Sequence, residues 1–270
     1  MLSDTNARLA AARRLTSRRA RREAARFLAE GAQAVREAIT RPDLLIELYA
    51  TAEALGRHTD LLAASPVPVS EISPKAAAAL SETVTPQGLV AVCRTPDVSL
   101  TDALGRRPRL VAVLVETNEP GNAGTILRTA DAAGADTVVF AGDSVDLYNG
   151  KTVRATAGSL FHLDVVLAAE PPGDVVAALR AAGLLTLATT GAGTTDLDAL
   201  IDDATLDGPV AWLFGNEARG LPEAVSAACD HQVRIPIHGR AESLNLAAAA
   251  AVCLYASAHA HRGNRLPPPH

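Results

Sequence analysis

Aromatic residues and cysteines are scarce in this 270-residue chain, and positive charge is not in excess. Phe, Trp and Tyr make up 3% of the residues, so the interior has to be built from Ala, Val and Leu. Stacking of bases on an aromatic platform is therefore not expected. Cys93, Cys229 and Cys253 are widely spaced and have no CxxC or His pattern, which argues against a disulfide scaffold and against a metal site. Buried thiols in a reducing compartment are the better interpretation.

The charge is distributed unevenly along the chain. The net charge of −5 argues against a generally cationic nucleic-acid binder, but residues 1–41 hold ten Arg against four acidic residues. Residues 8–26 therefore form a basic arm, which is either a solvated helix face or a set of phosphate contacts. On the second interpretation, Arg18, Arg19 and Arg22 contact RNA. The chain also has no apolar run long enough to span a bilayer, and we expect a soluble cytoplasmic protein.

The pattern of strands and helices predicts two α/β domains. Residues 1–95 contain the basic arm followed by a small alternating unit, and residues 96–108, with Pro and Gly and no sustained period, predict a linker. Residues 109–262 alternate strand and helix repeatedly, which predicts a parallel sheet covered on both faces. Residues 263–270 are expected to be a disordered tail.

Two neighbouring strand ends near the C-terminus organise the second domain. Apolar residues 210–214 predict a buried strand that stops at Gly215, and residues 232–237 predict another. Polar residues 241–243 are expected to cap a helix over 244–259. Because ligands bind at the carboxyl ends of parallel strands, this edge is the predicted site.

Three polar residues have both a structural and a chemical interpretation. Asn122 opens a helix as its N-cap or lines the site. Arg128 lies on a nearly uncharged helix, where it either pairs with Asp131 or serves the reaction. Glu217 pairs with Arg219, caps the following helix, or accepts a proton. The residues alone leave these alternatives open.

Three ordered motifs resemble those of the SpoU/TrmH family of RNA ribose 2′-O-methyltransferases, within the SPOUT superfamily. They are NEPGNAGTILRTADAAGA at residues 118–135, LFGNEARGLPE at 213–223, and RIPI with ESLNLAAAAA at 234–251. Residues 27–31 (FLAEG) and 88–93 are similar to the small substrate-binding domain that precedes the catalytic domain in many members. The resemblance covers the whole chain.

The resemblance implies a fold, a cofactor and a set of site residues. It implies a SPOUT parallel sheet with a deep trefoil knot, a homodimer with shared sites, and S-adenosylmethionine as methyl donor without a metal. The implied catalytic residues are Arg128, Asn122, Glu217, Ser243 and Asn245. The implied cofactor-binding residues are Thr189, Thr190, Gly191, Leu213, Gly215, Ile235, Ile237 and Leu244. Lys151 and Arg154 lie in a segment that resembles one of the family's but has Thr156 where the family usually has serine; they either hold RNA phosphates or belong to an ordinary surface turn with two cations.

The implied function is methylation of a ribose 2′-hydroxyl in structured RNA, and the two-domain form favours 23S ribosomal RNA. The alternatives are a transfer RNA 2′-O-methyltransferase and a catalytically degenerate protein that binds RNA or confers antibiotic resistance. Intact Asn122, Arg128, Glu217, Ser243 and Asn245 count against the degenerate protein.

Overall fold

The computed structural model describes residues 1–262 and divides the chain into two compact units. The first unit combines Met1–Pro96 with Asp146–His162, and the second combines Asp97–Val145 with the chain from Leu163 onward. The predicted tail, residues 263–270, lies outside the described residues. Within residues 1–262, no helix is long and apolar enough to cross a membrane.

Strands and helices alternate through most of the chain. The elements up to residue 105 are α1 (Ala7–Arg14), α2 (Arg18–Ala24), β1 (Arg26–Glu30), α3 (Ala32–Ile39), β2 (Leu45–Ala50), α4 (Ala52–Arg57), α5 (Thr59–Ala63), β3 (Val69–Glu71), α6 (Pro74–Ala79), β4 (Leu89–Arg94) and α7 (Leu100–Gly105). The later elements are β5 (Leu110–Val115), α8 (Pro120–Ala133), β6 (Thr137–Ala141), α9 (Gly150–Ala155), β7 (Asp164–Leu167), α10 (Pro172–Ala181), β8 (Leu185–Thr189), β9 (Thr195–Asp196), α11 (Leu197–Asp202), β10 (Val210–Phe214), α12 (Glu223–Ala228), β11 (His231–Arg234) and α13 (Leu246–Arg262).

A four-stranded mixed sheet forms the centre of the first unit. Its strand order is β1-β4-β2-β3, with β4 antiparallel to both neighbours and β2 parallel to β3. Helices α1 and α6 pack on one face, where Leu9 and Ala77 join a cluster with Leu28, Tyr49 and Val92.

The basic arm is folded onto this unit rather than extended into solvent. Asn6 caps α1 and Ser17 caps α2, while Leu9 and Leu15 of the arm are buried. Arg21 is 5% exposed and donates hydrogen bonds to Asp146 Oδ2 at 2.6 Å and to the Leu15 carbonyl at 2.8 Å. Removing residues 1–25 would therefore uncover the core and leave Asp146 unpaired, so point substitutions are the proper test of the arm.

Residues 146–162 belong to the first unit, although the sequence pattern placed them within a domain over 109–262. The ring of Phe27 packs against Tyr148 and Phe161, with centroid distances of 4.9 and 5.9 Å. Arg41 also donates to the Phe161 carbonyl at 2.7 Å. These partners are more than a hundred residues apart in sequence, so local periodicity carries no sign of them.

The second unit is built on a seven-stranded parallel sheet of order β7-β6-β5-β10-β8-β11-β9. This confirms the predicted α/β class with a parallel sheet. Alternate residues of β10 face opposite sides, as a strand requires. Ala211 and Leu213 pack in a cluster with α7, α10 and α12, while the indole nitrogen of Trp212 donates to Ser257 of α13 at 2.9 Å. Helices therefore cover both faces.

The predicted linker contains a packed helix. Within residues 96–108, Ser99 caps α7 by accepting from the Asp102 amide at 3.0 Å, and Leu100 and Ala103 are buried in the core of the second unit. The helix is short and flanked by Pro, so its period is too brief to recognise from sequence.

The two final elements differ from their predicted bounds. Strand β11 ends at Arg234 rather than at residue 237, since Pro236 has no amide to donate to a sheet ladder. Helix α13 begins at Leu246, and its cap is Asn245, whose Oδ1 accepts from the Ala247 amide at 2.9 Å. The caps expected over 241–243 are therefore not the ones used.

Candidate active site and cofactor cleft

The loop that follows β10 folds back tightly on itself. A Cβ atom placed on Gly215 would lie 2.2 Å from the carbonyl carbon of Gly220 and 2.3 Å from the Leu221 amide nitrogen, so only glycine fits. Asn216 is 7% exposed and accepts from the amides of Ala218 and Arg219 at 3.0 and 3.2 Å. Gly215 is thus required for the shape of the loop itself, and a Gly215→Val variant would disturb folding as well as binding.

Two residues of this loop system were missed from the sequence. Asn216 Nδ2 donates to the Glu116 carbonyl at 2.8 Å, and Arg219 pairs with the Glu116 carboxylate at 3.1 Å. Glu116 ends β5 with a φ of +52°, a strained conformation for a residue with a side chain. A polar Asn directly after a buried strand was the available signal for Asn216, whereas nothing local marked Glu116.

A cleft of about 270 Å³ opens at the carboxyl ends of β8, β10 and β11. Most of the residues predicted to bind the cofactor line it: Thr189, Thr190, Gly191, Gly215, Ile235, Ile237 and Leu244. Leu213 does not, because it is fully buried in β10; its carbonyl accepts from Thr189 Oγ1 at 2.7 Å. Glu217 and Ser243 also line the cleft.

Glu217 is hydrogen-bonded to the amino end of α8, whose N-cap is Glu119 and not Asn122 as the sequence allowed. Its carboxylate accepts from the backbone amides of Asn118 at 3.2 Å and Glu119 at 3.1 Å, and from Asn122 Nδ2 at 3.2 Å. Burial raises the pKa of Glu217, but hydrogen bonds from its own amide, Asn122, Asn118 and Glu119 outweigh burial and hold the pKa below its ordinary value. The carboxylate is therefore ionised at neutral pH and committed to donors. It neither pairs with Arg219 nor caps the helix that follows it.

A chain of hydrogen bonds joins three sequence motifs. Asn245 Nδ2 donates to Asn122 Oδ1 at 3.2 Å, and Asn122 in turn donates to Glu217. The structure thus brings together Asn122, Glu217 and Asn245 from α8, the β10 loop and the start of α13.

Arg128 points away from this chain of hydrogen bonds. It is exposed on α8, and among residues 1–262 no carboxylate pairs with it, Asp131 included. Six residues of helix separate it from Asn122, which corresponds to about 9 Å along the axis and about 120° around it. Arg128 is not among the residues that line the cleft.

The residues predicted to contact RNA lie in the first unit. Arg18, Arg19 and Arg22 are exposed on α2, and Arg19 pairs with Glu23 at 2.7 Å. Lys151 is exposed on α9, whereas the Arg154 guanidinium pairs with the nearly buried Glu30 at 3.2 Å. Arg154 therefore already has a structural partner.

The cleft has the position and lining typical of an enzyme that binds a nucleoside-like cofactor at a sheet edge. In the described part of the chain, no group of three or more His, Cys, Asp or Glu is arranged to hold a metal.

Comparisons with known proteins define the family. Residues 109–255 match the SpoU rRNA Methylase family, and residues 6–91 match an MRM3-like substrate binding domain. The 23S rRNA (guanosine(2553)-2′-O)-methyltransferase RlmP of Bacillus subtilis is 34% identical over 90% of this chain and 92% of its own length. The 23S rRNA (uridine(2479)-2′-O)-methyltransferase of Streptomyces viridochromogenes is 40% identical over 63% of this chain and 59% of its own length.

Solved structures agree with this assignment. The AdoMet-bound rRNA methyltransferase of Sinorhizobium meliloti superposes with a TM-score of 0.79 and 31% identity, covering 96% of this chain and 97% of that one. The chain belongs to the SpoU rRNA methylase family.

Proposed function

We propose that this protein transfers a methyl group from S-adenosylmethionine to a ribose 2′-hydroxyl of 23S ribosomal RNA. The observation that carries the proposal is the cleft at the ends of β8, β10 and β11, with Glu217, Asn122 and Asn245 hydrogen-bonded in series beside it. The family relatives support the reaction, since the Bacillus subtilis and Streptomyces viridochromogenes proteins are both 23S rRNA 2′-O-methyltransferases.

The lining of the cleft fits S-adenosylmethionine. Ile237 and Leu244 are 37% and 39% exposed, and together with Ile235 they offer apolar surface to an adenine ring. Glu217 and Glu242 line the cleft, whereas no Lys or Arg among the described residues does, which suits a cationic sulfonium. The bound cofactor would supply an electrophilic methyl group.

Glu217 acts by positioning in this proposal. A carboxylate with a lowered pKa that already accepts three hydrogen bonds is a weak proton acceptor at neutral pH. Its bonds fix the amino end of α8, the helix that also carries Arg128. A guanidinium donates hydrogen bonds and accepts none, so the role of Arg128 is to hold the phosphate beside the target ribose and to stabilise the developing 2′-alkoxide.

We further propose a homodimer in which Arg128 serves the partner's cleft. Arg128 is exposed and turned away from the cleft of its own chain, and Val252 and Tyr255 of α13 are 41% and 51% exposed. Helices α8 and α13 pack together within the second unit, so their exposed faces form one surface of mixed apolar and cationic character. A two-fold axis through that surface repeats each contact and generates two equivalent sites.

Mixing two inactive variants tests the shared site. Gly191→Leu is the cofactor-blocking variant, because a Cβ on Gly191 meets no atom within 4 Å and the residue lines the cleft. In a heterodimer of one Gly191→Leu chain and one Arg128→Ala chain, one of the two shared sites has both a normal arginine and a normal cleft. Random pairing makes half of the dimers mixed, and activity should recover to about a quarter of wild type. Background activity in the mixture, despite a dimer in sedimentation, would show that Arg128 acts within its own chain.

The reaction itself is tested with S-adenosylmethionine carrying a labelled methyl group. Wild-type protein should transfer label to unmethylated 23S ribosomal RNA, whereas Arg128→Ala should not. Calorimetry should show that Arg128→Ala still binds the cofactor with normal affinity. Arg128→Lys is the matched control, since it keeps the charge but loses bidentate phosphate geometry, and we expect partial activity. Label appearing only in transfer RNA would favour the transfer RNA enzyme. Absence of cofactor binding would favour the degenerate RNA-binding protein.

The proposal includes the remaining family features. Strand β10 enters the sheet between β5 and β8, and β11 enters between β8 and β9, so the chain returns twice to the interior of a sheet already laid down. That order supports a trefoil knot near the C-terminus. Ribosomal RNA as the substrate places the protein in the cytoplasm, and exposed Arg18, Arg19, Arg22 and Lys151 are its proposed RNA contacts.

A further inference from the structure

A second cleft lies in the first unit, and its lining does not include Arg18, Arg19 or Arg22, the residues of α2 predicted to bind RNA. This arm cleft has a volume of about 290 Å³ and is formed by α1, α2 and the neighbouring ends of β1, β2 and β4. Its charged lining residues are Arg8, Arg14, Glu23, Arg26 and Glu47. Leu15 and Val92 line its apolar floor.

The two carboxylates of the arm cleft are already neutralised. Glu47 Oε2 accepts from the Tyr49 hydroxyl and from Arg8 Nε, the latter at 3.2 Å. Glu23 Oε1 accepts from Arg19 Nε at 2.7 Å. Neither carboxylate therefore serves the other arginines of the cleft.

Arg14 and Arg26 are left as cations without an acidic partner. Both are exposed, and no carboxylate in the described part of the chain lies within ion-pair distance of either guanidinium. They line the same cleft from α1 and from the first residue of β1. A cleft lined by two arginines without acidic partners suits a phosphate group, to which a guanidinium donates charge-assisted hydrogen bonds.

The pairing of β1 with β4 adds an independent observation. Arg26 lies directly opposite Arg94 in the antiparallel register, so both side chains emerge on the same face of the sheet. Arg94 reaches the Asp43 carbonyl at 3.2 Å, which leaves its positive charge uncompensated. Like charges directly opposite each other destabilise a strand pair, and a bound anion would remove that cost.

We propose that the arm cleft binds a phosphodiester group of the RNA substrate through Arg14 and Arg26, while Arg8 stays paired with Glu47. The assignment rests on the proposed function, which makes RNA the substrate. This site differs from the contacts expected at the exposed Arg18, Arg19 and Arg22 of α2. In the arm cleft, the RNA is held between the arm and the sheet. Its part in the reaction is binding, and the chemistry stays in the second unit.

The test compares RNA binding of the full-length double variant Arg14→Gln/Arg26→Gln with that of wild type. The control is Arg57→Gln/Arg106→Gln, which removes the same charge from two exposed arginines already paired with carboxylates. The probe is in vitro transcribed 23S ribosomal RNA, and the dissociation constant is measured over a series of salt concentrations. Binding of S-adenosylmethionine and the melting temperature are measured alongside.

The cleft variant should bind the RNA about tenfold more weakly at moderate salt, because charge-assisted hydrogen bonds are lost. The slope of log K against log salt should fall by about 0.7 to 0.9, the contribution of one phosphate. Cofactor affinity should be unchanged, and the melting temperature should hold or rise, since Arg94 loses its like-charged neighbour. A merely structural role for these arginines would instead lower the melting temperature.

Three results would overturn the assignment. In the first, the cleft variant matches the control in RNA affinity and in the slope of log K against log salt, while wild type methylates the RNA. The proposed function would then stand, and only the assignment of the arm cleft would be wrong. If wild type neither bound nor methylated the RNA, both would fail. If millimolar inorganic phosphate raised the melting temperature of wild type only, and the RNA slope was unaffected, the cleft would be a site for a free anion.

Discussion

Replacing Glu217 separates its positioning role from a role as proton acceptor. The carboxylate accepts three hydrogen bonds at the start of α8, from two backbone amides and from Asn122. In Glu217→Gln the remaining oxygen keeps the Glu119 and Asn122 bonds, but the new amide group faces the Asn118 amide, donor against donor. Glu217→Ala removes all three bonds.

The size of the effect follows from capping energetics. Loss of an N-cap interaction costs about 1 kcal/mol, and loss of a charge near a helix amino end adds about 0.3 to 1 kcal/mol. We therefore expect Glu217→Gln to lose about 1 kcal/mol and Glu217→Ala about 2 kcal/mol of unfolding free energy. For a unit of this size the melting temperature should fall by about 3 °C and about 5 °C respectively. Glu223→Gln is the matched control for charge alone, because Glu223 is exposed in the first turn of α12 and should lose only the contribution of a charge at a helix amino end, about 0.3 to 1 kcal/mol.

The pH dependence has a definite sign. The folded-state pKa of Glu217 lies below its ordinary value of 4.5, so the carboxylate stabilises the fold fully above that value and loses its contribution as pH falls through the lowered pKa. The difference in melting temperature between wild type and Glu217→Gln should be full at pH 7 and shrink in acid below the ordinary pKa. Circular dichroism melts over this range measure it.

Turnover distinguishes the two roles. If Glu217 acts by positioning, Glu217→Gln should keep turnover within about tenfold of wild type at saturating substrate. The retained hydrogen bonds from Glu119 and Asn122 would still fix the amino end of α8. An unchanged melting temperature at pH 7 together with a loss of turnover of more than a thousandfold would refute the positioning role and make Glu217 the proton acceptor.

Two further substitutions test the packing of each unit. Trp212→Phe leaves the buried Ser257 hydroxyl without its donor and should destabilise the second unit by about 1 to 3 kcal/mol. Urea unfolding followed by circular dichroism measures this loss, and stability equal to wild type would contradict the contact. Arg21→Met leaves Asp146 unpaired and should cost about 3 kcal/mol, whereas the exposed Arg19→Met should cost less than about 0.5 kcal/mol; equal effects would show that burial of Arg21 does not matter.

The central part of the second unit was predictable because its signals are local. Long apolar runs end at glycine or polar residues in β5, β6 and β10, and the predicted strand over 210–214 agrees with the structure. The family prediction is confirmed by the match over residues 109–255. The parallel arrangement followed from the alternation, and a cleft lies at the predicted carboxyl edge, while its role in cofactor binding stays a prediction.

What the sequence left open depends on contacts between distant residues. The sequence left Glu217 to pair with Arg219, to cap the following helix or to accept a proton, and its hydrogen bonds instead come from residues about a hundred positions away, at the amino end of α8. The sequence assigned residues 146–162 to the domain over 109–262, and their packing in the first unit depends in the same way on a distant partner, Phe27. Gly215 shows a further limit, because the resemblance implied a cofactor-binding role, whereas the close approach of the Gly220 and Leu221 backbone, which only glycine permits, was not visible in the sequence.

The most direct test of the proposed activity is to map the methyl group on the RNA. Unmethylated 23S ribosomal RNA is incubated with the protein and S-adenosylmethionine, digested to nucleosides and fragments, and analysed by mass spectrometry, with Arg128→Ala as the inactive control. We predict one methyl group on a ribose 2′-oxygen at a single site, which also makes the adjacent phosphodiester resistant to alkali. A methyl group on a base, or no methyl group despite normal cofactor binding, would contradict the proposed activity.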